Sequence, residues 1–68
     1  MRATVNGEAR ELPDDATVAG VLAALDVAPG ARGVAVALDG EVVSRSAWAQ
    51  TPVREGALIE VVSAIQGG

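Results

Sequence analysis

The amino-acid sequence predicts an α+β fold, in which one main helix lies across one face of a mixed sheet of about five strands. Two strand pairs, each joined by a two-residue turn that contains glycine, predict antiparallel hairpins. One apolar stripe at helical spacing separates these pairs, and an alternating segment follows them near the end of the chain. The 68 residues suffice for one small domain, and an apolar content of 50% is too high for a disordered chain.

The chain begins with a predicted hairpin. Residues 1–5 alternate in polarity, which indicates a half-buried strand. Asn6 and Gly7 follow, and these residue types readily adopt the positive φ that both central positions of a type I′ turn require. Residues 8–12 are therefore predicted to return alongside the first strand.

The predicted helix covers residues 17–25. Thr17 suits its N-cap, and Asp14 and Asp15 place negative charge near its positive end. The Pro-Gly pair at residues 29–30 ends the segment. One apolar stripe along the helix is formed by Val18, Val21, Leu22 and Leu25.

Three strands are predicted in the second half of the chain. Residues 33–38 are apolar on both faces, which is typical of an interior strand. The Asp-Gly turn at residues 39–40 leads into the short strand Glu41–Val43, and residues 58–65 form the last strand. Side chains alternate along that last strand, with Ile59 and Val61 inward and Glu60 and Val62 outward.

Residues 44–51 begin the connection between the last two predicted strands, and Pro52 and the Glu-Gly pair at 55–56 bring the chain round to the last one. Ser46 is predicted to cap a short helical turn. Trp48 is the sole aromatic residue, so we expect it to fill the core rather than to anchor a ligand.

The order β-β-α-β-β-β predicts a β-grasp arrangement. The right-handed crossover rule places the helix across one face of the sheet if the first and third strands run parallel. The last strand then lies centrally, and the end of the chain leaves the sheet. We therefore expect a β-grasp domain over residues 1–65 and a flexible Gly-Gly tail over residues 66–68.

Composition limits the classes of function. The net charge is −4 and the five arginines are scattered, whereas a nucleic-acid surface needs clustered basic residues. The chain has no Cys, His or Lys, so we expect no disulfide, no metal site and no catalysis by the chain itself. It also shows no signal peptide and no apolar run of about 20 residues, which predicts a cytoplasmic protein without membrane contact. We expect the free chain to be a monomer.

Five segments of the chain carry a family resemblance: residues 5–8, 17–25, 34–43, 45–48 and 60–68. The Gly-Gly end alone is weak evidence, but the last nine residues together with Arg-Ser-Ala-Trp at 45–48 are much more specific. In these segments the chain resembles the ubiquitin-like sulfur carriers of bacterial thiamine biosynthesis. Asp39 stands where that family often has Asn, and both residues suit the turn.

The resemblance implies that the chain is a co-substrate rather than an enzyme. A partner adenylating enzyme would use ATP to activate the Gly68 carboxylate, and a persulfide donor would convert it to a thiocarboxylate. Thiazole synthase would then accept the sulfur. Gly67 and Gln66 would give these partners access to the end of the chain, which itself would bind no cofactor or metal.

The outer face of the sheet is a candidate partner interface. Apolar side chains are predicted there at Val62, Ala64, Leu58 and Ala35. An ordinary exposed surface explains these residues equally well, so both interpretations stay open.

Three other functions fit parts of the pattern. The same chemistry could serve another pathway, in the small subunit of molybdopterin synthase or in a carrier for another sulfur-containing metabolite. The molybdopterin synthase subunit tends to be longer and to have more aromatic residues before its Gly-Gly. A β-grasp docking module would tolerate changes at its C-terminus. A protein modifier would instead form adducts on target lysines, and these adducts would resist thiol reagents.

Overall fold

The computed structural model describes residues 1–28 and 30–63. Their elements are β1 (Arg2–Val5), β2 (Glu8–Glu11), α1 (Val18–Ala24), β3 (Val34–Leu38), β4 (Glu41–Val43), a 3₁₀ helix (Arg45–Gln50) and β5 (Leu58–Ser63). The strands form one mixed sheet in the order β2-β1-β5-β3-β4, in which only β1 and β5 pair in parallel. The last strand is central, as predicted, and the arrangement is that of the predicted β-grasp fold.

Both hairpin turns have the predicted backbone geometry. Asn6 and Gly7 have φ values of 51° and 84°, and Asp39 and Gly40 have φ values of 51° and 86°. A type I′ turn requires such positive values at both central positions. A Cβ added at either glycine would meet no atom within 4 Å, so backbone torsion rather than crowding favours glycine there.

The condition that the first and third strands run parallel is not met. β1 is parallel to β5 and β3 is antiparallel to β5, so β1 and β3 run in opposite directions. The reason is that the first hairpin reverses the chain before the crossover begins. The helix therefore connects β2 to β3, which run in the same direction.

Thr17 caps α1 as predicted. Its Oγ1 accepts a hydrogen bond from the Gly20 backbone N–H at 3.2 Å, and its own backbone is extended (φ −116°, ψ 170°). Of the predicted stripe, the buried members are Val18, Val21 and Leu22, while Leu25 is the half-buried C-cap.

The helix ends before the Pro-Gly pair that was expected to stop it. Asp26 has a φ of 62°, and the Val27 N–H bonds back to the Leu22 carbonyl at 2.9 Å. A left-handed residue at this position turns the chain out of the helix. Pro29 lies outside the described residues.

Asp14 and Asp15 precede the N-cap, and the first turn of α1 contains no acidic residue. Asp14 Oδ1 instead lies 3.1 Å from the Met1 ammonium, and Glu11 Oε2 lies at the same distance. Hydrogen bonds to Asp14 and then to Glu11 raise the pKa of the ammonium above its ordinary value of 8.0. The Asp14 carboxylate thus joins Met1 to the loop that precedes the helix.

The prediction that Ser46 caps the helical turn is wrong. Ser44 is the N-cap, and its carbonyl accepts the Ala47 N–H at 2.9 Å without a capping bond from its side chain. Ser44 leaves β4 in an extended conformation, so the helical backbone begins directly after it. Trp48 is buried, at 7% exposure, and its Nε1 donates to the Val43 carbonyl at 2.9 Å.

The core lies between the two helices and the inner face of the sheet. No buried polar or charged side chain occurs in the part of the chain that the structure describes. Burial of each aliphatic side chain contributes about 1.5–3 kcal/mol. The largest fully buried side chains are Ile59, Val18, Val21 and Val36.

Candidate functional site

β5 carries the predicted alternation of inward and outward side chains. Ile59 is 1% exposed and Val61 is half-buried, whereas Glu60 is exposed. Leu58 and Val62 are 58% and 63% exposed. Because alternate residues of a strand share a face, the three exposed side chains lie together on the face away from the core.

The strand register extends this outer face across β3 and β4. Ala35 pairs with Val62, and Ala37 pairs with both Glu60 and Val42. Directly paired residues share a face of the sheet. The outer apolar patch is therefore formed by Ala35, Ala37, Val42, Leu58 and Val62.

Two members of this patch, Ala37 and Val42, were not among the predicted interface residues. Val42 is 80% exposed, the highest value among the large apolar side chains that the described residues expose. A two-residue turn at 39–40 pairs residues that are equally distant from it, so the sequence does hold the signal that places Val42 opposite Ala37. The patch consequently reaches the edge strand β4.

The predicted interface residues fall into two groups. Val62, Leu58 and Ala35 are exposed and lie on the outer face, as predicted. Outside the described residues lie Ala64, Gln66, Gly67 and Gly68, whose roles stay predictions.

On β1 and β2 the outer face is polar except at Ala9, which pairs with Thr4. Arg2 pairs with Glu11 across β1 and β2, and Arg2 Nε lies 3.8 Å from Glu11 Oε1. Thr4 separates this pair from Leu58, with which it is in register. An exposed ion pair of this kind contributes little stability, but it confines the apolar patch to β5, β3 and β4.

The first residues of the two turns, Asn6 and Asp39, form side-chain hydrogen bonds to β5 from opposite sides. The Asn6 side chain accepts the Val61 N–H at 2.8 Å and donates to the Val61 carbonyl at 3.3 Å. On the opposite side, Asp39 Oδ1 accepts the Leu58 N–H at 2.9 Å. From the sequence, both residues were predicted only to form turns, because local patterns do not show which distant strand lies beside a turn.

Away from the outer apolar patch, the described residues form a groove but no cluster of metal-ligating side chains. Within residues 1–28 and 30–63, no group of three His, Cys, Asp or Glu side chains could hold a metal ion. A groove of about 220 Å³ between the two helices is lined by Leu22, Trp48 and mostly small residues, and the Arg45 guanidinium lies 4.8 Å from the centre of the Trp48 ring. Neither described helix is long and apolar enough to span a membrane.

Comparisons with known proteins identify one family. The model of the ThiS family matches residues 3–68. The crystal structure of thiamine biosynthesis protein ThiS from Geobacter metallireducens is 37% identical with a TM-score of 0.81, and the similarity covers 100% of both chains. An NMR solution structure of a thiamine biosynthesis protein from the same organism is 37% identical with a TM-score of 0.80, covering 100% of this chain and 88% of that one.

A curated relative is much longer than this chain. The protein named thiazole synthase from Paramagnetospirillum magneticum is 38% identical over 68 residues. The matched region is 100% of this chain and 20% of that protein, so the chain spans about one fifth of the relative's length.

Proposed function

The chain belongs to the ThiS family, and we propose that it carries sulfur for thiamine biosynthesis as a thiocarboxylate on Gly68. The observation that carries this proposal is the family match, which runs through residue 68 and thus includes the Gly-Gly end. The full-length likeness to a ThiS crystal structure supports it.

The proposed chemistry activates a carboxylate that is otherwise a poor electrophile. An adenylating partner uses ATP to join AMP to the Gly68 carboxylate and releases pyrophosphate, so the carbonyl carbon now carries AMP as a good leaving group. A persulfide then attacks the carbonyl carbon and AMP leaves. The resulting acyl disulfide is cleaved by a second thiol, which leaves sulfur in place of one carboxylate oxygen.

The roles of this chain are those of a co-substrate. Gly67 and Gly68 lack side chains, so a narrow channel of a partner can admit them, and Gln66 connects them to the domain. The chain contains no cysteine or lysine, so no thiol or amine of its own side chains competes for the activated end. ATP belongs to the partner, and the chain needs no cofactor of its own.

We assign docking of the partners to the outer apolar patch. The patch is exposed, while the opposite face of the same strands forms the core, so the patch is free to contact another protein. We include Ala64 in the proposed interface, although it lies outside the described residues. Thiazole synthase is the proposed acceptor of the sulfur, and the similarity between this chain and one fifth of a protein with that name supports the pairing.

The test is the intact mass of the chain after incubation with ATP, the adenylating enzyme of the same genome and a persulfide donor. We expect a mass increase equal to the exchange of one oxygen for sulfur, located on Gly68 by fragmentation. A variant with one residue added after Gly68 should fold normally and stay unmodified. An unmodified native chain, beside a control carrier that the same enzyme does modify, would overturn the proposal.

A second stage of this test concerns the pathway. The modified chain is mixed with thiazole synthase and its other substrates, and loss of sulfur from Gly68 is followed by mass. Transfer is the expected result. Retention of the sulfur by a chain that loads normally would place the carrier in another pathway.

A further inference from the structure

Glu60 stands at the centre of the outer apolar patch. It lies between Leu58 and Val62 on β5 and pairs directly with Ala37 on β3. Among the described outward residues of β5, β3 and β4, it is the only one with a charge. An interface that covers the patch therefore also covers this carboxylate.

Within residues 1–28 and 30–63, Glu60 forms no ion pair with an arginine or with the Met1 ammonium. The carboxylates that do pair with Met1 and Arg2 there are those of Glu11 and Asp14. Removing an unpaired carboxylate from water costs several kcal/mol. A partner that buries the patch must therefore supply the missing charge, or it loses affinity.

A hollow beside Glu60 offers space for such a group. Its volume is about 250 Å³, and it is lined by Thr4, Gly7, Leu58, Ile59 and Glu60. Gly7 contributes no side chain, and a Cβ placed there would meet no atom within 4 Å. Lysine and arginine combine an apolar stem with a charged head. The stem would contact Leu58 and the head would pair with the Glu60 carboxylate, both of which line the hollow.

We propose that Glu60 determines specificity by pairing with a lysine or arginine side chain of the adenylating enzyme, whose stem occupies this hollow. The inference rests on the proposed function, because that function supplies the partner. A second copy of the chain fits the surface poorly. It would bring together two chains of net charge −4, each with a carboxylate at the centre of its patch.

The proposal is tested by whether Glu60→Gln binds the adenylating enzyme more weakly or more tightly than the native chain does. Glu60→Gln keeps the shape of the side chain and removes its charge. If a cation of the enzyme faces Glu60, the variant leaves that cation buried and unpaired, and Kd rises at least about tenfold. If no cation faces it, the variant avoids the burial of a charge, and Kd stays the same or falls, which overturns the proposal.

Glu8→Gln is the matched control. Glu8 is exposed on the edge strand β2, in register with the inward Val5, so this variant has the same net charge without altering the patch. It should bind like the native chain. Affinity of the native chain should also fall more steeply with salt than that of Glu60→Gln.

Three outcomes distinguish failure of this proposal from failure of the proposed function. If the native chain binds the enzyme and Glu60→Gln binds it equally well or more tightly, the proposed role of Glu60 is wrong, while the carrier function is not contradicted. If the native chain neither binds the enzyme nor receives sulfur from the persulfide donor, the carrier function is wrong, and the proposed role of Glu60 is wrong as well. A dimer of the native chain at micromolar concentration, measured by sedimentation, would assign the patch to a second copy instead.

Discussion

Asn6 has one structural role in its backbone and another in its side chain. Its φ of 51° forms the first turn, while its side-chain amide bonds to both the N–H and the carbonyl of Val61. β1 ends at Val5, so the amide extends the pairing between β1 and β5 beyond the end of the strand. Asparagine suits both roles because it tolerates the left-handed region and carries a donor and an acceptor.

Replacing Asn6 separates these two roles. Asn6→Gly keeps easy access to positive φ but removes both side-chain hydrogen bonds to Val61. Each such bond contributes about 0.5–1.5 kcal/mol, so we expect a loss of about 1–2 kcal/mol in the free energy of unfolding. Urea unfolding followed by the fluorescence of Trp48 measures this loss.

Asn6→Ala is the companion variant. It removes the same hydrogen bonds and also forces a residue with a Cβ into the left-handed region, which costs roughly 1–2 kcal/mol more. Alanine should therefore be the less stable of the two variants. A glycine variant as stable as the native chain would show that the contact with Val61 contributes nothing to stability.

At the scale of elements, α1 depends on its cap and its packing. Its seven residues are too few for a helix that is stable by itself in water. The residue after its cap also bonds to the second half of the chain, since the Val18 N–H donates to the Thr51 carbonyl at 3.0 Å. A loss at the cap should therefore reduce the stability of the whole domain.

Thr17→Ala tests this dependence. It removes the oxygen that accepts the Gly20 N–H, and we expect the free energy of unfolding to fall by about 0.5–2 kcal/mol. Thr17→Ser keeps the oxygen and should retain most of the stability. Equal losses in both variants, measured by urea unfolding, would locate the effect in the lost methyl group rather than in the cap.

The elements differ in how far the sequence alone predicts them. Both turns and the Thr17 cap were predicted correctly, because a few adjacent residues determine them. The helix was predicted to end at residue 25, close to its observed end, but the backbone turn that ends it was not, since Asp26 takes a left-handed conformation that no local pattern required. Ser46 was chosen for its residue type, whereas the exit of the chain from β4 makes Ser44 the cap.

The candidate site likewise contains some features that the sequence alone predicts and others that it does not. Alternation along one strand sufficed to predict the outward positions of Leu58 and Val62. Val42 belongs to the patch through the register between β3 and β4, and Asn6 contacts Val61 because a distant strand lies beside its turn. Such contacts depend on the assembled sheet, so they became visible only in the structure.

At the scale of the whole molecule, the central strand β5 contributes side chains both to the core and to the outer apolar patch. Its inward residue Ile59 is buried in the core, while Leu58 and Val62 belong to the exposed patch. A substitution on the outward side can therefore change binding without disturbing the packing that maintains the fold. This separation makes the docking assignment testable with a single residue.

Val62→Asp places a charge in the outer apolar patch. Because Val62 is 63% exposed, we expect the free energy of unfolding to change by less than about 1 kcal/mol. In the proposed complex with the adenylating enzyme, the new carboxylate would be buried beside Glu60, so affinity should fall at least about tenfold. Calorimetric titration measures the affinity, and urea unfolding measures the stability.

Ala28→Asp provides the comparison. Ala28 is exposed just after α1, on the side of the sheet that carries the helix, and its replacement changes the net charge by the same amount. Any long-range repulsion between the chain and the enzyme should affect both variants similarly. Weaker binding by Val62→Asp alone would assign docking to the outer face, whereas equal affinities for the native chain and Val62→Asp would remove Val62 from the interface.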